Sequence, residues 1–167
     1  MRILYLTRHA KSSWDDPRTN DFERPLNERG LRDAPFMADV FKKRGEPIDR
    51  IVSSPAHRAI TTARVFAKAL AYQETLIVQD KNIYLAPLEM LLRIVNLLPD
   101  DAQRVMLFGH NPGFSELAEY LSDGDVGEMP TSATVRIDFV IDRWSEASMG
   151  LGTLVWFDYP KRNTELK

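Results

Sequence analysis

The 167-residue sequence contains no cysteine. Disulfide staples, thiolate zinc ligands and cysteine nucleophiles are therefore excluded, and the composition fits a reducing compartment such as the cytoplasm. No apolar run approaches the ~20 residues that a membrane-crossing helix needs. The opening Met1-Arg2-Ile3-Leu4-Tyr5-Leu6 meets Arg8 too early for a secretory leader. Neither sign of charge dominates: 22 Lys and Arg stand against 24 Asp and Glu, a formal net charge of −2. That balance argues against a general nucleic-acid binder, and neither nucleic acid nor membrane is expected as a partner. The charge is nevertheless uneven, with 13 basic and 9 acidic side chains in residues 1–64 and the excess reversed afterwards.

What is present reads as one layered domain spanning residues 1–167, without repeats, low-complexity stretches or a linker. Apolar runs of strand length alternate with helical patterns, which predicts an α/β sandwich: a mainly parallel central sheet flanked by helices, closed by an antiparallel strand pair. Ile3 to Thr7 is apolar without alternation, as in a strand covered on both faces. Asn27 is expected to cap a helix running to about Arg44, with Leu31, Ala34, Ala38 and Phe41 facing the sheet and Pro35 inside it. Arg50 to Ser53 forms the second strand, and Ser54-Pro55 reads as a cap and first residue of the next helix. Further strands are expected at Leu76 to Val78 and Val105 to Phe108, and further helices at Leu88 to Leu98 and after Asn111-Pro112. Thr134 to Ile141 and Leu151 to Phe157 make the antiparallel pair.

Three strand ends carry the chemistry. The first strand runs into Thr7-Arg8-His9, the second into Ser54-Pro55-Ala56-His57-Arg58, and the strand ending at Phe108 into Gly109-His110-Asn111-Pro112. Open α/β sheets bind ligands beyond the carboxyl ends of their strands. If these three strands are parallel neighbours, Arg8, His9, Arg58 and His110 meet at one rim. Arginine offers forked donors matched to phosphate oxygens, and a helix N-terminus adds to the positive field. Phosphate binding alone needs no central histidine, whereas a neutral imidazole is nucleophilic near pH 7 and can carry a phosphoryl group. The spacing by itself leaves open which histidine attacks and which donates. A zinc site of three histidines is disfavoured because Arg8 and Arg58 oppose a cation. His57, about 100° around the helix from Arg58, belongs at the surface or rim.

Taken together, Leu6-Thr7-Arg8-His9-Ala10, Ser53-Ser54-Pro55-x-x-Arg58-Ala59-x-x-Thr62 and Gly109-His110-Asn111-Pro112 resemble the histidine phosphatase superfamily, which has the phosphoglycerate mutase-like fold. The chain's length, Arg24-Pro25-Leu26-Asn27-Glu28-Arg29-Gly30 and Pro130-Thr131-Ser132-Ala133 resemble its SixA-type phosphohistidine phosphatases. The resemblance covers nearly the whole chain in order. It implies that His9 accepts the phosphoryl group, that Arg8, Arg58 and His110 hold it, and that no metal or cofactor is required. Most relatives carry glycine after the nucleophile; Ala10 here is similar to the SixA-like branch.

Ester-cleaving branches also supply a general acid, because an alkoxide leaves poorly unless it is protonated. Here His110 is followed by Asn111-Pro112, and Glu89 is the one well-placed candidate between Arg58 and His110, although an exposed helical position is its simpler reading. The expected partner is a phosphohistidine-bearing protein, with a small phosphorylated substrate as the alternative. In that alternative Glu89, Asp15 or Asp16 serves as acid. A non-catalytic phosphate-binding module is the reading from another class. Lys11 and Asn111 are secondary candidates for touching substrate. Trp144 and Trp156 are expected to pack, and Asp100-Asp101 to lie in a loop.

Overall fold

A computed structural model describes residues 1–164. Its centre is β1 (Arg2–Arg8), whose neighbours are β4 (Arg104–Gly109), parallel to it, and β5 (Thr134–Phe139), antiparallel to it. Beyond β4 lie β2 (Arg50–Ser53) and β3 (Val78–Gln79), both parallel, and beyond β5 lies antiparallel β6 (Gly152–Asp158). The six-stranded order is β3-β2-β4-β1-β5-β6. This is the mainly parallel α/β sandwich with a C-terminal antiparallel pair that the apolar pattern predicted.

Helices cover both faces, which explains the unalternating strands. Tyr5, Ile51, Met106 and Phe108 point to the layer of α1 (Glu28–Lys43) and α2 (His57–Ala69), where Phe41 and Phe66 meet them. Leu4, Leu6, Val52, Val105 and Leu107 point to the layer of α3 (Leu88–Asn96) and α4 (Gly113–Leu121). With both faces buried, the central positions of β1, β2 and β4 are apolar in succession, so the two-residue period disappears from their sequence while persisting in space. Strand β5, nearer the sheet edge, keeps it, with half-buried Arg136 and Asp138 alternating with buried Val135, Ile137 and Phe139. Trp144 is fully buried, and Trp156 packs on Tyr5 and Phe41. Residues 160–164 form a short last helix, α5.

Several boundaries differ from the sequence reading. Asn27 caps α1 through a bond from Gly30 N at 2.9 Å, but Leu31 is 61% exposed. The buried stripe is Gly30, Ala34, Met37, Ala38 and Phe41, and Leu31 sits one residue off it. Helix α1 continues through Pro35, forgoing only the bond that its missing N–H would have given the Leu31 carbonyl. Helix α2 begins at His57, with Ala56 and not Ser54 at the cap position. The chain from Glu74 to Leu76 is a 3-10 turn, and only Val78 and Gln79 pair at that sheet edge. Helix α4 follows a cis Asn111–Pro112 bond, with Pro112 and not Asn111 at its cap. Strand β5 stops at Phe139, beyond which Val140 is solvent-exposed.

The register places the site. Arg8 is opposite Gly109 across β1 and β4, and Ser53 is opposite Phe108 across β2 and β4. Three adjacent parallel strands therefore end level, and the chain leaves them at His9, Ser54 and His110. The loop after His9 is folded back and pinned: Asn27 N donates to Lys11 O at 3.0 Å and Ser13 N to Pro25 O at 2.8 Å. Glycine is required at position 30, because a Cβ there would lie 2.1 Å from the Lys11 carbonyl oxygen. On the far side, Ser132 takes up a left-handed backbone (φ 62°) and donates its N–H to the carbonyls of Arg8 and His9.

Candidate active site

Arg8, His9, Arg58 and His110 line one cavity of about 270 Å³ beyond the level strand ends. The ring centroids of His9 and His110 are 5.3 Å apart, and the two residues are only 7% and 3% exposed. His9 Nδ1 is 2.7 Å from its neighbour's carbonyl, Ala10 O. A carbonyl only accepts, so Nδ1 carries the hydrogen and Nε2 holds the lone pair. That lone pair receives Arg58 Nε–H at 3.3 Å. The residues around His9 are tied to α2 through Thr62, whose hydroxyl accepts from Ala10 N at 3.0 Å and donates to Arg58 O at 2.7 Å. Ala10 is completely buried, where it packs with Leu26 and Ala34.

Ser54 explains why the expected helix cap fails. Its Oγ is 2.7 Å from His110 Nε2 and accepts Ala56 N–H at 3.2 Å. When the hydroxyl proton is given to Nε2, His110 carries its own hydrogen on Nδ1. That Nδ1 is buried without a protein partner, as is Arg8 Nε. Leaving a buried polar group unpaired costs about 1–3 kcal/mol, so both atoms are better satisfied by an oxyanion in the cavity.

Burial first, and the cavity's cations after it, suppress positive charge on the two rings. Burial and the neighbouring histidine and arginines hold the His9 imidazole well below 6.5. Burial, then Arg58 and Arg8, depress His110 to about 3. Both rings are neutral at pH 7. In the unfolded chain a histidine titrates near 6.5, so between the two values the unfolded state binds more protons. Stability should be complete well above pH 6.5 and fall as the pH drops from about 7 to 5, steepening toward about 1.4 kcal/mol per pH unit for each ring. Urea unfolding across that range, with imidazole nitrogen NMR showing both rings still neutral at pH 5, checks this. Flat stability with either ring protonating near 6.5 contradicts it.

Of the secondary candidates, Lys11 and Asn111 line the cavity. Both ends of the Asn111 amide are engaged within the protein, donating to Met129 O at 2.9 Å and accepting from Ser115 Oγ at 2.9 Å. Arg8 Nη1 donates to the same Met129 carbonyl at 2.8 Å. Glu89 is exposed in the first turn of α3 and is not among the cavity's lining residues. Asp15 and Asp16 are also exposed on their loop and absent from the lining, and Asp16 pairs with Arg18. His57 is exposed, 3.4 Å from Glu23 O. Among the described residues no group of three or more histidine or carboxylate side chains is gathered as a metal site, and no helix is long and apolar enough to cross a membrane.

The sequence reading did not single out Asp21, which lines the same cavity, or Tyr84, which bonds to it. Asp21 lies in a polar loop without periodicity, and its three-residue spacing from Arg24, to which it is ion-paired, was the only local signal. Trp14, 71% exposed, and Leu85 stand at the cavity's edge. A larger open groove of about 710 Å³ adjoins through Arg8 and Asn111 and contains neither His9 nor His110.

With fold and site in view, comparison with known proteins supplies the class. The chain belongs to the histidine phosphatase superfamily, branch 1, whose sequence profile matches residues 4–82. Its likeness runs to the SixA type. Over 95% of this chain and 98% of the other, it is 30% identical to a protein of Agrobacterium tumefaciens assigned as a phosphohistidine phosphatase SixA, at a TM-score of 0.80. The protein histidine phosphatase SixA solved with tungstate superposes at a TM-score of 0.81, with 23% identity and 99% of both chains covered. An uncharacterised protein of Mycobacterium tuberculosis is 30% identical over 166 residues, 92% of this chain and 99% of its own length.

Proposed function

We propose that residues 1–167 act as one domain that hydrolyses protein phosphohistidine through a covalent phosphoryl intermediate on His9. The observation that carries this reading is the 2.7 Å contact of His9 Nδ1 with Ala10 O: a carbonyl only accepts, which assigns the hydrogen to Nδ1 and the lone pair to Nε2, the nitrogen facing Arg58. In the first step His9 Nε2 attacks phosphorus, and the bond from phosphorus to the substrate nitrogen breaks. The electron pair leaves with a substrate imidazole whose other nitrogen is already protonated, so the departing group is neutral. Phospho-His9 retains its Nδ1–H and is cationic, and the Ala10 carbonyl stabilises that charge. Arg8, Arg58 and His110 Nδ1–H hold the phosphoryl oxygens as charge redistributes. Water then attacks phosphorus, the N–P bond breaks, Nε2 recovers its lone pair and phosphate departs with the water's proton passing to solvent. Neither step uses a metal or a cofactor.

The choice of phosphoramidate over phosphate ester is supported by what the cavity's carboxylate can do. Asp21 is the one acidic side chain in the lining. Burial pushes its carboxyl up, but bonds from Tyr84, Arg58 and Arg24 outweigh that and hold it at about 2. It is ionised at neutral pH and has no proton to give an alkoxide. Glu89, Asp15 and Asp16 lie outside the cavity. A substrate panel tests the reading: kcat/KM for a phosphohistidine protein should exceed that for sugar phosphates and phosphoserine peptides by at least about 100-fold, the low end of general-acid contributions. Glu89→Gln should change neither. Sugar-phosphate turnover equal to that of phosphohistidine, collapsing in Glu89→Gln, would establish the phosphomonoesterase instead. Phosphate-dependent binding with no turnover would establish a binding module.

A further inference from the structure

Arg58 reaches the nucleophile on a long flexible side chain, and something must decide which of its nitrogens faces His9. Both terminal nitrogens are held by a single residue: Nη1 donates to the backbone oxygen of Asp21 at 2.7 Å, and Nη2 donates to Asp21 Oδ2 at 3.0 Å. With the fork held this way, each terminal nitrogen keeps a second N–H, but it is Nε–H that faces His9 Nε2, at 3.3 Å. The same carboxylate accepts from Arg24 Nε at 3.1 Å through Oδ1 and from the Tyr84 hydroxyl through Oδ2. One anion thus bridges two guanidinium groups whose like charges repel.

Asp21 is itself firmly seated. It begins a 3-10 turn, Asp21–Glu23, capped by the Asn20 side chain. Arg24, its other partner, donates to Ser12 Oγ at 2.6 Å and lies 3.5 Å from the centroid of the Trp14 ring. The anchor therefore connects to the pinned loop that follows His9.

We infer that Asp21 is a positioning residue of the site, holding Arg58 by both ends of its fork so that the Nε–H occupies the place where a phosphoryl oxygen arrives as His9 is phosphorylated. In the resting site that N–H rests on the nucleophile's lone pair. Once Nε2 is bonded to phosphorus, the same N–H lies beside a phosphoryl oxygen without Arg58 having to be rebuilt. Asp21 touches neither the lone pair nor phosphorus in this scheme and acts only through Arg58. The inference rests on His9 being the nucleophile.

Four proteins test it: the wild type, Asp21→Asn, Arg58→Ala and the double variant. Each is mixed with a phosphohistidine protein, and phosphate on His9 is followed in a single turnover at varied substrate concentration. Misplacing a catalytic group by about an ångström costs up to roughly 100-fold, so Asp21→Asn is expected to slow phosphorylation about 10- to 100-fold while the half-saturating substrate concentration moves less than about 3-fold. In the Arg58→Ala background the same substitution should cost less than about 2-fold, because its effect is transmitted through Arg58. Tyr84→Phe loosens the carboxylate without removing it and provides a second variant: a several-fold loss that also vanishes without Arg58. Wild-type rates in Asp21→Asn and Tyr84→Phe, or a double variant slowed by the product of the single effects, would overturn the inference. A wild-type protein that never carries phosphate on His9 would instead overturn the reading beneath it.

Discussion

His9→Ala is expected to reduce turnover of a phosphohistidine protein roughly a million-fold, the scale on which removal of a nucleophile acts. The expectation follows from position as much as from residue type. His9 is 7% exposed, its Nδ1–H is fixed to Ala10 O, and its Nε2 is aligned by Arg58. His110 differs: with the Ser54 hydroxyl donating to its Nε2, its hydrogen is on Nδ1, which faces the phosphoryl group as a donor and not as a nucleophile. The alanine variant should remain folded, since His9 makes one side-chain bond to its own neighbour and one to Arg58. Its unfolding midpoint in urea is the control. Rapid-quench kinetics should find no covalent phosphate on the variant. Turnover within tenfold of wild type would remove His9 from the mechanism.

The second large effect is at Arg58. A guanidinium placed on the transferring phosphoryl group is worth about 10³- to 10⁵-fold in rate. Arg58→Ala should lower the rate of phosphoryl transfer by that order. Arg58→Lys should recover little of it, because an ammonium cannot hold Asp21 with two nitrogens and still direct a third at His9. Arg58 is 2% exposed, so the loss of stability must be measured alongside. Asp21 retains Arg24 and Tyr84 as partners in the variant. Stopped-flow measurement of the first turnover separates transfer from binding, and a lysine variant near wild-type rate would show that charge alone is needed.

Much of this site was legible because its residues follow buried strands. The apolar runs before Arg8, Ser54 and Gly109 marked strand ends, and parallel α/β topology brings such ends to one edge. The register then set Arg8 against Gly109 and Ser53 against Phe108. What stayed hidden has physical causes. Ser54-Pro55 has the chemistry of a helix cap, but the serine oxygen is drawn to His110 and Ala56, and the helix opens later. Asn111 likewise gives its amide to Met129 and Ser115, leaving Pro112 at the cap position. Leu31 has the hydrophobicity of a core residue but lies one position off the stripe that Ala34, Met37 and Phe41 define. Asp21 was invisible for the opposite reason, since an acidic residue in a polar loop has no period to mark it. Its importance arises from a contact with Arg58 across 37 positions of sequence.

The central claim is that phosphate passes through the Nε2 of His9. The most direct measurement is to quench the protein within its first turnover on a phosphohistidine protein and locate the bound phosphate by peptide mass spectrometry under alkaline conditions. The account predicts a phosphoryl group on the peptide that carries His9, stable in base, lost in acid and absent from His9→Ala. Phosphate found on another residue, or full turnover with His9 never modified, would contradict it.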